Sequence, residues 1–323
     1  MVPQFLPGMP GLKTKGDRVY IDTADGDFES ELVAFYEAYL AGFEEAAGLD
    51  NSIFALTAKA APGFFTLNEN MEASGVSPHA LKGQVTGPIT FATGVKDQND
   101  QAIFYNHQLR DAAVKLLAMK ARWQVRVLSK FKQPVIIFLD EPALAGFGSS
   151  EFISITREEV VACLEEVTDA IHMEGGLAGV HVCANTDWSM LLGSALDIIN
   201  FDAYAYFDRF ILYPDELKTF IGSGGILAWG IVPTLNAEDI ERESAASLED
   251  RWENQLNQVV SLGLDRRKIK ARSLITPSCG TGSLSRPHAL KVLEMTRDLS
   301  RLIRQKSDLN ELKQGACSRV PMR

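Results

Sequence analysis

Pro134-Val135-Ile136-Ile137-Phe138-Leu139-Asp140-Glu141-Pro142 is an unbroken apolar run, opened by a proline and cut off by two carboxylates. Such a run reads as a strand buried on both faces, as in a parallel sheet covered by helices. Two acids at its end are unusual, because burying them at a core strand end is costly without a purpose. The next apolar run, Leu177-Ala178-Gly179-Val180-His181-Val182-Cys183, ends in His-x-Cys. Alternation along an extended chain places His181 and Cys183 on one face, about 7 Å apart. An imidazole and a thiol so placed suit a metal such as zinc. Taken alone, a strand-end histidine or a buried cysteine is more often a packing residue. Cys279, in Ile275-Thr276-Pro277-Ser278-Cys279-Gly280 after another apolar run, supplies a third ligand from a second strand end.

Outward from these runs, strand-like segments lie near residues 52, 80, 134, 177, 197, 226 and 271. Helical segments fall between them, at about 29–47, 101–130, 156–174, 188–192, 214–221, 237–262 and 285–304. Thr156 with Glu159 forms a capping-box pattern. Residues 1–27 read as an ordered loop or hairpin with a possible strand at Arg18–Asp22, and Ala61-Pro62-Gly63 reads as a loop. Residues 307–323, polar and aperiodic, are expected to be a flexible tail after a single domain at 1–306, with Cys317 a bystander.

Alternating strands and helices indicate an α/β protein with a parallel sheet. No Gly-x-Gly-x-x-Gly or phosphate-loop pattern follows a strand, which removes the support for a nucleotide fold. Asp140, His181, Cys183, Asp202 and Cys279 gather at strand ends instead, the layout expected of a TIM (β/α)8 barrel. The count from residue 52 is one strand short of eight.

Composition narrows the partners. A formal charge of −10, with both signs interspersed, disfavours nucleic acid and anionic membranes. No long uncharged apolar run or secretory leader pattern is present, so a cytoplasmic protein without a membrane partner is expected. Four scattered cysteines fit reduced thiols better than a disulfide framework.

Thr86-Gly87-Pro88-Ile89-Thr90, Asp140-Glu141-Pro142-Ala143-Leu144, His181-Val182-Cys183 and Pro277-Ser278-Cys279-Gly280 follow one another as in a known family. In order and strand context, residues 80–300 resemble the C-terminal catalytic domain of cobalamin-independent methionine synthase, in its stand-alone core form. The His-x-Cys and distant Cys are shared with corrinoid-linked thiol methyltransferases of the same superfamily. The Asp-Glu-Pro-Ala-Leu segment points to the methionine synthase branch.

The resemblance implies Zn2+ held by His181, Cys183 and Cys279, with Asp202 as fourth ligand where the family usually carries Glu. The other reading of Asp202 is an acid capping the loop after its strand. The resemblance also gives Asp140, with Glu141 beside it, to the amino acid part of homocysteine; alternatively these acids hold a loop that Pro142 fixes. The family's folate-contacting acid and Trp and its proton-donating His align with Gly146, Gly94 and Val232. A methyl-corrinoid needs none of those side chains, since its leaving group departs unprotonated. The implied donor is therefore methylcobalamin or a methylated corrinoid protein, with methyl-tetrahydrofolate second. Another thiol such as coenzyme M is an alternative acceptor, and a zinc-binding structural or storage barrel is the non-enzyme alternative. The family's first barrel strand, with its Ile-Gly-Ser segment, and its second-strand Glu find no counterpart before residue 60. Either the natural start lies upstream of Met1, the preferred expectation, or Arg18–Asp22 closes the barrel.

Overall fold

The computed structural model describes residues 2–44, 46–147 and 154–317, with the side chains of 46, 47 and 307–317 left aside. Contacts divide the chain into two compact units, Met1–Val182 with Thr186–Ile199, and Cys183–Asn185 with Asn200–Arg323.

The first unit opens with a short helix α1 (Val2–Phe5) and an antiparallel hairpin, β1 (Leu12–Lys15) and β2 (Arg18–Ile21). Helices α2 (Phe28–Glu44) and α3 (Pro62–Ser74) follow. Strand β3 (Leu81–Thr86), the short helix α4 (Pro88–Gly94) and the long helix α5 (His107–Ser129) come next. Strand β4 (Val135–Asp140), helix α6 (Arg157–Met173), strand β5 (Leu177–Val182) and helix α7 (Trp188–Leu192) complete its main elements. Strand β6 (Ile198–Phe201) leads into the second unit, with α8 (Phe207–Phe210), α9 (Pro214–Ser223) and β7 (Ile226–Val232). Helices α10 (Ala237–Arg242), α11 (Ala245–Ser261) and α12 (Arg266–Ala271), strand β8 (Ser273–Pro277) and helix α13 (Arg286–Cys317) end it.

Six strands form one sheet in chain order, β3 to β8, and the β3–β4, β4–β5 and β7–β8 pairs are parallel. This is the α/β architecture with sequential strands expected from the alternating pattern, and it is compatible with part of a (β/α)8 barrel. Six of the seven expected strands are found. The exception is Ser52–Leu56, which is a succession of turns. Ser52 Oγ donates to the Leu49 carbonyl and accepts from the Phe54 amide, the local competition by which serine displaces regular structure. The apolar content of the run is met by burial of Phe54 against the Phe35 ring, 5.8 Å away, and not by strand pairing. Arg18–Ile21 is a strand, but its ladder partner is β1, so it does not close the large sheet.

Other boundaries moved for legible reasons. Ala61-Pro62-Gly63 starts a helix, since Pro62 stands in the first turn, where its missing N–H costs nothing, and Gly75 closes the helix in the left-handed conformation. The expected helix over 237–262 breaks at Glu243, where Ser244 caps α11 through a capping box with Ser247. The last helix runs on to Cys317, past the expected end at Arg304, so the first part of the supposed tail is helical; residues 318–323 lie outside the described residues.

Side-chain alternation sorts the strands of the first unit into two faces. Leu81, Val85, Ile137, Leu139, Ala178 and Val180 are buried. The opposite face carries Lys82, Gln84 and Thr86 of β3, Ile136, Phe138 and Asp140 of β4, and Leu177, Gly179 and His181 of β5. Lys82 Nζ lies 4.7 Å from the centre of the Phe138 ring, as side chains sharing a face should. Among the described residues β3 is an edge strand, and the Gln124 side chain of α5 runs along it. Gln124 Oε1 accepts from the Gln84 amide at 3.2 Å and Gln124 Nε2 donates to the Gln84 carbonyl at 2.9 Å.

Candidate metal centre

Register places three polar residues side by side at the carboxyl ends of adjacent strands. Thr86 is opposite Asp140 in the β3–β4 ladder, and Asp140 is opposite His181 in the β4–β5 ladder. Neighbouring strands lie about 4.8 Å apart, so the row spans about 10 Å from Thr86 to His181. The Glu141 amide donates to the His181 carbonyl at 2.9 Å and continues the ladder one residue past β4.

Beyond β5 the chain turns through Cys183, and β8 delivers Cys279 two residues after its end. The Cys279 loop is held by the Ser278 amide, which donates to the Val232 carbonyl, and by a 2.9 Å contact between the Ser278 and Thr234 hydroxyls. Gly230 makes the close approach possible. A Cβ there would sit 2.7 Å from the Phe201 carbonyl oxygen and 2.9 Å from Ser278 Cα.

One ligand atom each from His181, Cys183 and Cys279 can be chosen so that all lie within 4.8 Å of one another. All three residues are partly buried, and no other such group is found among the described residues. Tetrahedral zinc, with bonds of about 2.3 Å to sulfur and about 2.0 Å to nitrogen, sets its donors about 3.5–3.8 Å apart. The cluster is within an ångström or so of that spacing, and its nitrogen and sulfur donors are those zinc prefers. The hydrogen-bonded Cys279 sulfur, burial and the Asp202 charge push the Cys183 thiol up. Two adjacent sulfurs cannot both ionise without a compensating positive charge, which a divalent cation supplies. The donor set therefore fits a metal. Cys163, Cys183 and Cys279 are free thiols, as scattered reduced cysteines should be.

No protein-family model matches the chain, and no curated protein matches it.

The remaining predicted site residues fall into different surroundings. Asp202 is buried at the end of β6 and is not part of the three-residue group. Its Oδ1 accepts from the Ala205 amide at 2.8 Å, the loop-capping role. Asp140 is half-buried in the row with His181. Glu141 is fully buried and points elsewhere. Its Oε1 accepts from the Ile89 amide at 2.8 Å, and its Oε2 accepts from the Thr90 amide at 2.8 Å and the Thr90 hydroxyl at 2.6 Å. Burial pushes this carboxyl up to about 7 against the pull of those donors. Thr90 Oγ1 in turn accepts from the Ala143 amide, knitting the loop after β3 to the loop after β4.

Sequence reading missed Thr86 and Thr90. Thr86 opens the Thr86–Thr90 segment, and only the ladder register shows that it shares a row with Asp140. Gly94 ends α4, Gly146 lies in a short 3-10 turn at Pro142–Gly146, and Val232 is fully buried at the end of β7. Among the described residues, no helix is long and apolar enough to cross a membrane.

Proposed function

We propose that the chain is a zinc-dependent methyltransferase that moves a methyl group from a methyl-corrinoid to the thiolate of homocysteine, giving methionine. The observation that carries this reading is the convergence of His181, Cys183 and Cys279, which come from two separate strand ends. Three protein ligands are the number found at catalytic zinc sites, where the fourth position is left to substrate, whereas structural sites use four. Zinc there would supply deprotonation of a bound thiol, which for a free pKa of about 8.5 offsets about 2 kcal/mol at pH 7.

The chain's own residues would do the rest. Asp140, in register with His181 and half-buried, would receive the ammonium of an amino acid whose sulfur lies at the metal end of the row. Glu141 holds the loop that carries Ile89 and Thr90, and so fixes one wall of the strand-end surface. Orientation of thiolate and methyl donor in line is where most of the rate enhancement is available. The absence of an acid, an indole and an imidazole at Gly146, Gly94 and Val232 supports a corrinoid donor over methyl-tetrahydrofolate, because a folate leaving group needs a proton and a corrinoid does not.

The test is methionine formation by zinc-loaded protein from homocysteine, with methylcobalamin and methyl-tetrahydrofolate compared as donors and Cys279→Ser as control. Methionine from methylcobalamin alone, lost in Cys279→Ser, is the expected result. Turnover with folate overturns the donor assignment. Transfer to coenzyme M but not homocysteine moves the acceptor. If cobalt-substituted protein shows no spectral change on adding thiol, the site is structural and the enzymatic reading fails.

A further inference from the structure

Thr86 is fully buried, and its hydroxyl has no hydrogen-bond partner. A buried hydroxyl left unpaired is costly, and valine, which has the same shape and a higher preference for strands, would remove the cost. Its position gives the expense a purpose. Thr86 ends β3 on the face that carries Asp140 and His181, one strand beyond Asp140 and two beyond His181. The other wall of this corner is already committed, because Glu141 gives both oxygens to residues 89 and 90.

Resting on the reading of the site given above, we infer that Thr86 Oγ1 donates a hydrogen bond to the carboxylate of the methyl acceptor, so that the substrate class is an α-amino acid thiol and not a plain alkyl or amino thiol. A ligand with its sulfur at the His181 end and its ammonium on Asp140 carries its carboxylate on the same carbon as the ammonium. The next polar group along the row is Thr86. The hydroxyl is covered in the free protein, so the ligand reaches it by displacing a neighbour, and the half-buried Asp140, drawn onto the ammonium, is the side chain adjacent in register.

The test is calorimetric binding of L-homocysteine and of 3-mercaptopropylamine, which lacks only the carboxylate, to zinc-loaded wild type, Thr86→Val and Thr86→Ser. The wild type is expected to prefer homocysteine. Thr86→Val should weaken homocysteine binding about tenfold or more while leaving the amine unchanged, and Thr86→Ser should retain the preference. Thr86→Val should also have a higher Tm than the wild type, which a residue kept for structure would not show. A preference for homocysteine that survives Thr86→Val overturns the role of Thr86 and leaves the metal-thiol reading standing. A Thr86→Val protein that fails to fold or has a lowered Tm overturns it as well, by showing a structural hydroxyl. A wild type that binds neither thiol overturns both.

Discussion

Glu141 shows how a residue next to the row of Asp140 and His181 can be occupied with architecture. Its carboxylate takes two amides and a hydroxyl from one loop, and glutamine offers one acceptor oxygen where glutamate offers two. Glu141→Gln should therefore leave at least one buried donor unpaired and lower stability by about 1–3 kcal/mol, read from urea unfolding. Cys183 is of the opposite kind. It is held next to Cys279 with a raised thiol pKa, an arrangement of little use to packing. Cys183→Ala should abolish stoichiometric zinc retention through gel filtration, and the cobalt form should lose its sulfur-to-cobalt absorption, with little change in the far-ultraviolet circular dichroism.

Elements here start where a side chain can replace a missing backbone partner. Thr156 accepts from the Glu159 amide while Glu159 reaches back to the Thr156 amide, and Arg110 ties Glu159 to α5 at 2.7 Å. Thr156→Ala should cost about 1 kcal/mol of unfolding free energy, and Glu159→Ala somewhat more because it also releases Arg110. The junction from β3 into α4 is stricter. A Cβ on Gly87 would lie 2.2 Å from the Glu141 side chain, with nowhere to go because Glu141 is wholly buried. Gly87→Ala should displace Glu141 from its three donors and yield protein that is largely insoluble or melts far below the wild type, as solubility and thermal melting would show.

At the scale of the whole molecule, one buried charge sets a pH dependence. Lys120 is 1% exposed, and its ammonium donates to the Ile53 carbonyl at 3.4 Å. Burial pushes it down from 10.5 to about 8. Between those values the unfolded chain binds the extra proton, so stability should rise with pH across that interval, by about 3 kcal/mol at most. Lys120→Met should remove this rise and melt higher than the wild type at pH 7. The strand order and the three metal-type ligands were legible in the sequence because continuous apolar runs and His-x-Cys act locally, through alternation and strand ends. The turn at Ser52, the break at Ser244 and the place of Thr86 were not, since each depends on a competing serine bond or on a ladder register that no single stretch of chain contains. The Gln124 amide that runs along β3 stands where the peptide group of another strand would stand, answering one N–H and one C=O with a side chain that cannot propagate. Gln124 thus occupies two backbone groups of β3 that would otherwise be open to pairing, and removing its amide would leave that N–H and C=O exposed on the edge of the described sheet.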